Sequence, residues 1–198
     1  ELTSGFELIP RKQINYKGTV LEEMDLDKIL ERKPSVVLVD ELAHTNTQGS
    51  RHLKRYQDVR EILDYGIDVY TTLNVQHLES RCDIVSQITG IIVRETLPDE
   101  IFENAEEIEL VDITPDELLS RLKEGKIYTP ELSREAANNF FRKGNLTALR
   151  EMSLRIVADR VDKQLKMYMQ KKSIRGPWKS GMHLLALVSA SPDRKSVV

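Results

Sequence analysis

The stretch Val36-Val37-Leu38-Val39-Asp40-Glu41 decides the fold class. Four apolar residues in a row, mostly β-branched, are typical of a strand that is buried on both faces, as in a parallel sheet. The two acids follow where such a strand would end. Because ligands of open α/β sheets bind beyond the carboxyl ends of the strands, these acids are candidates for a ligand site.

Helix and strand patterns alternate around this strand. Residues 21–32 predict a short helix that Asp25 would cap, and residues 57–65 predict a second helix that ends at Gly66. Residues 67–73 then predict another strand. Strand, helix and strand within about 40 residues is the sequence form of a right-handed crossover between parallel strands.

The same patterns extend over residues 1–112 and predict an α/β domain with a largely parallel sheet that is incomplete at its N-terminal side. The further predicted elements are strands at 6–9 and 13–16, a helix at 75–89 closed by Gly90, and strands at 91–93 and 108–111.

Residues 113–170 predict a helical extension. Thr114 and Pro115 form a typical helix start, and further helices are predicted at 131–141 and 146–168. Residues 171–182 form a basic linker, and residues 183–198 predict the clipped start of another domain, with a strand at 183–190. The apolar face of the long helix is predicted to consist of Leu154, Val157, Val161, Leu165 and Tyr168.

Charge is distributed unevenly along the chain, although the 198 residues carry a net charge of only −3. Residues 95–135 contain thirteen acids and four bases, whereas residues 142–179 contain eleven bases and three acids. The chain has one cysteine, no apolar run long enough for a membrane helix and no signal-peptide pattern, so a soluble intracellular fragment is expected.

Asp40 and Glu41 match the Walker B pattern of P-loop NTPases. In that pattern the first carboxylate holds Mg²⁺ against nucleotide phosphates and the second orients the attacking water. The partner motif GxxxxGK[ST] occurs nowhere in the chain. Either that motif lies upstream of Glu1, or the chain does not bind nucleotide in this way. A buried strand that ends in two solvated acids is the simpler alternative.

Other polar residues fall near the same expected edge of the sheet. Asn74 follows the second strand and is a candidate for contacting a phosphate, although it can equally cap the next helix. Thr45 and Asn46 lie in a polar loop and are further candidates for phosphate sensing. The three histidines His44, His52 and His77 lack the spacing of a zinc site, and Cys82 is expected to be a plain buried thiol.

Several blocks of the chain closely resemble one protein family between about residues 7 and 165. These blocks are VVLVDELAHTN at 36–46, GSRHLKRYQD at 49–58, GIDVYTTLNVQHLES at 66–80, residues 112–119 and FFRKGNLTAL at 140–149. They are similar to the N-terminal cytoplasmic region of the KdpD family of osmosensitive potassium-channel sensor histidine kinases.

The resemblance implies a P-loop NTPase-like sensor domain, with ATP and Mg²⁺ as ligands of the intact protein and with Asp40 and Glu41 as Walker B residues. It also implies a universal-stress-protein-like domain that starts near residue 183, followed by membrane helices and a kinase core that phosphorylates itself on histidine and passes the phosphate to a response regulator. The family's phosphate loop would precede this chain, and no histidine here lies in a phosphoacceptor context.

The resulting expectation is a regulatory cytoplasmic sensor fragment of a membrane-bound kinase, in which ATP–Mg²⁺ at Asp40 biases the kinase-to-phosphatase balance through the long helix. The fragment itself is expected to be non-catalytic and to hold no cofactor tightly. Its expected partners are the rest of the kinase and, through basic residues, anionic lipid headgroups. Two alternatives stay open: a free-standing NTPase or small-molecule kinase that uses Glu41, and a nucleic-acid-binding module that uses residues 142–179.

Overall fold

The computed structural model describes residues 4–124 and 140–174. The chain forms two compact units, Glu1–Arg160 and Val161–Val198. The strand predicted at 183–190 lies outside the described residues, and so do nearly all of the helix predicted at 131–141 and most of the basic linker. Within the described residues, no helix is both long and apolar enough to cross a membrane.

The first unit begins with an antiparallel hairpin of β1 (Lys12–Tyr16) and β2 (Thr19–Glu23). The two residues between the strands, Lys17 and Gly18, both have positive φ angles of 50° and 83°. Such a two-residue turn matches the twist of an antiparallel pair. The prediction of a strand at 6–9 is wrong, because these residues have no strand structure and no strand of the described residues pairs with them.

Helix α1 (Leu26–Arg32) begins later than the sequence pattern predicts. The first part of the predicted helix is β2, whose pairing with β1 outweighs local helix preference. Asp25 caps α1 as expected, since its Oδ1 accepts a hydrogen bond of 3.2 Å from the Lys28 N–H.

The predicted strand–helix–strand unit is confirmed as β3 (Val36–Val39), α2 (Arg55–Asp64) and β4 (Asp68–Thr71). The two strands are parallel, with Val36 opposite Asp68 and Val39 opposite Thr71. Gly66 ends the helical region with a φ of 76°, which is costly for any other residue. The element order therefore places the ends of β3 and β4 side by side.

The sheet is smaller than the sequence predicts, and the fold is a mixed α/β arrangement. In residues 4–124 and 140–174 the strands form only the β1–β2 hairpin and the β3–β4 pair. Residues 91–93 and 108–111, predicted as strands, have no regular structure, so that prediction is wrong. A β-branched run becomes a strand only when another strand supplies its hydrogen bonds.

Only one face of the β3–β4 pair is packed. Val37, Val39 and Val69 contact the core that α1 and α2 complete, and Ile62 of α2 is fully buried there. On the opposite face, Leu38 is 59% exposed, and Val36 and Tyr70 are also exposed. The prediction that this strand is buried on both faces is therefore wrong, since no described residue covers its second face.

The helix predicted at 75–89 is divided into two 3₁₀ turns (Val75–His77 and Glu79–Arg81) and α3 (Cys82–Thr89). The division occurs at Leu78, whose extended backbone forms a parallel bridge to Leu97. Both leucines are buried, so their packing overrides the helical pattern.

Three helices complete the described chain: α4 (Asp99–Glu103), α5 (Pro115–Lys123) and α6 (Lys143–Lys171). Helix α5 starts as predicted, with the Thr114 hydroxyl accepting a hydrogen bond from the Glu117 N–H.

The buried side of α6 differs from the predicted one. Leu146, Leu149 and Ile156 are buried, whereas Leu154 and Val161 of the predicted apolar face are exposed. The helix carries two apolar stripes, and periodicity alone does not decide which of them packs.

Candidate functional site at the ends of β3 and β4

The parallel register brings Asp40 and Thr72 together, because each is the first residue beyond its strand. The Thr72 hydroxyl donates a hydrogen bond to Asp40 Oδ1. The Glu41 N–H donates to Asp40 Oδ1 and to Thr72 Oγ1, both at 3.0 Å. The Leu42 N–H donates to the Thr72 carbonyl at 3.0 Å. Asp40 is thus held in place by the end of the neighbouring strand.

The two acids have different surroundings. Glu41 adopts a left-handed backbone with a φ of 55°, and its side chain is 73% exposed. Asp40 is also exposed, and its second oxygen, Oδ2, has no hydrogen-bond partner among the residues that the structure describes. One carboxylate oxygen is therefore fixed and the other is open to a ligand.

A buried glutamate lies behind the acid pair. Glu23 is 5% exposed and accepts hydrogen bonds from the Thr47 N–H at 2.7 Å and the Thr47 hydroxyl at 2.8 Å, while His44 Nε2 lies 3.2 Å away. Burial raises the pKa of Glu23, but the hydrogen bonds from Thr47 and His44 together outweigh it, so the pKa lies below its ordinary value. The glutamate is therefore ionised at neutral pH.

Arg55 connects this glutamate to the acid pair. Its Nη1 donates to the Asp40 carbonyl at 3.0 Å, and its Nη2 donates to Glu23 Oε2 at 3.3 Å. Nη1 also lies 3.9 Å from Glu41 Oε2. The guanidinium is largely buried, with 13% of the side chain exposed.

Thr45 and Asn46, the candidates in the polar loop, differ in burial and in hydrogen-bond partners. Thr45 is exposed, and its N–H donates to Glu95 Oε1 at 2.9 Å. Asn46 is buried, and its amide donates to Asp58 Oδ2 at 2.6 Å and to the His52 carbonyl at 3.1 Å. Burial raises the pKa of Asp58, partly offset by the Asn46 hydrogen bond.

His44 and His77 both lie near Glu95, whereas His52 contacts Glu61. His44 contacts Glu23, His52 Nε2 lies 2.7 Å from Glu61, and His77 Nδ1 lies 2.7 Å from the Glu95 carbonyl. Among the described residues, no group of three or more histidine, cysteine or acidic side chains could hold a metal ion.

Cys82 donates its S–H to the Leu78 carbonyl, with 3.3 Å between Sγ and the oxygen. Its pKa is raised by burial and then by nearby acids, so the reactive thiolate is disfavoured.

A cleft of about 1090 Å³ opens at the end of β4. Thr72 and Asn74 border it on one side, and Leu146 and Arg150 of α6 border it on the other. Asn74 is exposed and does not cap the following 3₁₀ turn with its side chain. The described lining of the cleft includes Thr72 and Asn74 but not Asp40 or Glu41, so Thr72 is the residue that connects the cleft to the two acids.

The acidic and basic segments of the chain contact each other beside this cleft. Arg150 forms a bidentate ion pair with Asp112, in which Nε lies 2.6 Å from Oδ1 and Nη2 lies 2.5 Å from Oδ2. The guanidinium holds the pKa of the Asp112 carboxyl below its usual range. Lys143 Nζ lies 2.7 Å from Asp116 Oδ1. Two bases of the basic block are therefore paired with acids of the acidic block.

The donor set at the strand ends suits hydrated Mg²⁺. This ion is usually bound by one or two carboxylates and several waters, and its remaining ligands come from phosphates. Asp40 offers an oriented carboxylate with one open oxygen, and Glu41 offers a second carboxylate next to it. Sequence reasoning identified both acids but missed Thr72, because it placed Thr72 inside the strand predicted at 67–73, whereas β4 ends at Thr71.

Comparisons with known proteins give a consistent result. The sequence profile described as "KdpD: Osmosensitive K+ channel His kinase sensor domain" matches residues 1–161. A sensor protein KdpD of Clostridium acetobutylicum is 51% identical over 197 residues, which is the full chain and 22% of that protein. A sensor protein KdpD of Escherichia coli K12 is 53% identical over 84% of the chain and 19% of that protein.

A putative sensor protein KdpD of Synechocystis is 50% identical over 80% of the chain and 43% of that protein. The chain thus spans between about a fifth and two fifths of these relatives. With a profile match over most of its length and relatives at about half identity, the chain belongs to the KdpD family of osmosensitive K⁺ channel histidine kinase sensor domains.

Proposed function

We propose that this region is the nucleotide-dependent regulatory domain of a two-component sensor histidine kinase that responds to potassium or osmotic stress. ATP with Mg²⁺ would bind at the ends of β3 and β4, with Asp40 holding the metal ion and Glu41 next to it. The bound nucleotide would bias the balance between the kinase and phosphatase activities of the whole protein.

The contact between Asp40 and Thr72 is the observation that carries this proposal. A carboxylate at the end of a parallel strand, fixed by the neighbouring strand and open on its outer side, is what a Walker B aspartate requires. Bound Mg²⁺ would neutralise phosphate charge. The protein's own contribution is to orient Asp40 and to offer the Asn74 amide within the adjoining cleft.

The cleft also supports a route from the nucleotide to the rest of the kinase. Thr72 and Asn74 border the same space as Leu146 and Arg150 at the start of α6. An occupant that spans the cleft from the end of β4 would contact α6 and the Asp112–Arg150 pair. A shift of α6 is the proposed output.

The test is carried out in the full-length kinase. Histidine autophosphorylation and response-regulator dephosphorylation are measured at fixed ATP and Mg²⁺ for the wild type and for Asp40→Ala, with Asp64→Ala, an exposed acid at the end of α2, as the control. The proposal expects Asp40→Ala to change the ratio of the two activities and Asp64→Ala to leave it unchanged. An Asp40→Ala protein with the wild-type ratio would overturn it.

A further inference from the structure

We propose that Arg55 is a positioning residue, which fixes the backbone of the Asp40–Glu41 step and so sets the Mg²⁺-dependent part of nucleotide binding. The proposal rests on the function proposed above. Arg55 lies outside the Walker B pattern, at the start of α2.

Arg55 anchors the backbone beneath the acid pair. Arg55 Nη1 donates to the carbonyl oxygen of Asp40 at 3.0 Å, so it contacts the backbone at the point where β3 ends. A carbonyl bonded to a buried cation cannot rotate freely. The direction in which the Asp40 side chain leaves the backbone is then restricted as well.

Arg55 is itself held in place by Glu23. Its Nη2 donates to Glu23 Oε2 at 3.3 Å, and Glu23 is in turn fixed by two hydrogen bonds from Thr47. Planar guanidinium groups hold two acceptors in a fixed relative geometry, which an ammonium group does not do. Arg55 is also fixed through its backbone, whose N–H donates to the His44 carbonyl at 3.1 Å.

Glu41 has a left-handed backbone conformation. A glutamate with a φ of 55° is in a sparsely populated region and persists only where its surroundings impose it. Two hydrogen bonds hold its N–H, and Arg55 Nη1 lies 3.9 Å from its carboxylate. Without the Arg55 side chain, the turn at 40–42 loses the guanidinium that contacts it and is expected to relax.

Hydrogen exchange of backbone amides tests this proposal without nucleotide. The Leu42 N–H is the reporter, because it bonds to the Thr72 carbonyl across the strand ends and Leu42 is 5% exposed. Val85 and Leu30, buried in α3 and α1, are the reference amides. The variants are Arg55→Gln and Arg55→Lys, and the matched control is Arg60→Gln, an exposed arginine of the same helix, 3.6 Å from Glu100.

The expected result is that Leu42 exchanges at least tenfold faster in Arg55→Gln, with a smaller increase in Arg55→Lys and none in Arg60→Gln. The reference amides are expected to keep their wild-type rates. Unchanged exchange at Leu42, or equal acceleration of all three amides, would overturn the positioning role, since equal acceleration reports loss of global stability.

A second measurement separates this inference from the proposed function. ATP affinity is measured with and without Mg²⁺ in a version of the chain extended upstream of Glu1, as the wild type and as both Arg55 variants. Loss of the Mg²⁺-dependent gain in Arg55→Gln, with metal-free affinity unchanged, is the expected result. If the wild type itself shows no such gain, the proposed function fails, whereas the exchange rates still decide the role of Arg55. An Arg55→Gln chain that keeps the full gain contradicts the inference.

Discussion

Thr72 donates its hydroxyl hydrogen bond to Asp40 Oδ1 across the ends of two parallel strands. The same Thr72 hydroxyl accepts the Glu41 N–H at 3.0 Å, so one small side chain orients both acids. Thr72 lies 31 positions after Glu41 in the sequence, with α2 and β4 between them, and the strand register brings the two residues together.

Thr72→Val is expected to weaken Mg²⁺-dependent ATP binding by about tenfold, because a hydrogen bond to a charged group contributes roughly 1.5–3 kcal/mol. Valine has nearly the same shape but neither donates to Asp40 nor accepts from Glu41. The control is Thr147→Val in α6, where the lost hydroxyl donates only to the Lys143 carbonyl of the same helix. Isothermal titration calorimetry measures both variants in the version extended upstream of Glu1, and equal affinities for the two would argue against the role of Thr72.

Ile62→Ala is expected to lower the free energy of unfolding by about 3 kcal/mol, as is usual for truncating a large buried aliphatic side chain. Ile62 is fully buried between α1, α2 and the β3–β4 pair. The adjacent Leu63 is 51% exposed, so Leu63→Ala should cost much less. Urea denaturation compares the two, and similar losses would contradict the described core.

Glu23 is expected to make the free energy of unfolding depend on pH under acidic conditions. Its pKa in the folded chain lies below the ordinary value of 4.5, so its contribution is fully present above that value and is lost as the pH falls through the lower, folded-state pKa. Glu23→Gln should remove this part of the acid dependence. It should also lower stability at pH 7 by roughly 1–3 kcal/mol, because Arg55 loses a charged partner.

The control for this prediction is Glu22→Gln, the preceding residue on β2, whose side chain is 51% exposed. Urea midpoints between pH 3 and pH 7 are expected to converge for the wild type and Glu23→Gln as the pH falls. Midpoints that stay equally far apart over this range would show that the charge of Glu23 is not involved.

Asp58 is expected to have the opposite effect to Glu23 on the pH dependence of stability. Burial raises the pKa of its carboxyl, so ionised Asp58 opposes folding at neutral pH, and this penalty disappears as the pH falls through the raised pKa. Asp58→Asn should therefore be at least as stable as the wild type at pH 7, since an amide oxygen can still accept from Asn46. A clear loss of stability, absent in the exposed Asp64→Asn, would contradict this interpretation.

Features with local causes could be predicted from the sequence. Asp25 and Thr114 cap their helices as expected, because each bonds to a backbone N–H three residues further on. The strand that precedes Asp40 and the parallel strand after Gly66 were also predicted correctly. Each depends on a continuous apolar run or on a turn residue within the same segment.

Features that depend on distant partners were not predictable. Residues 91–93 are as apolar as β3 but form no strand, because a strand requires a neighbour that the pattern does not reveal. Thr72, Arg55 and Glu23 were missed at the site for the same reason, since their contacts join segments that are far apart in sequence. The packed side of α6 depends on which neighbours it meets.

The most direct test of the central claim is the affinity of ATP–Mg²⁺ for this chain and for a version extended upstream of Glu1, each as wild type and as Asp40→Ala. Calorimetry should show binding by the extended wild type that is weakened at least tenfold in Asp40→Ala, with the same folded stability. Equal ATP–Mg²⁺ affinity of the extended wild type and its Asp40→Ala variant would contradict the assignment of Asp40 as the metal-holding residue.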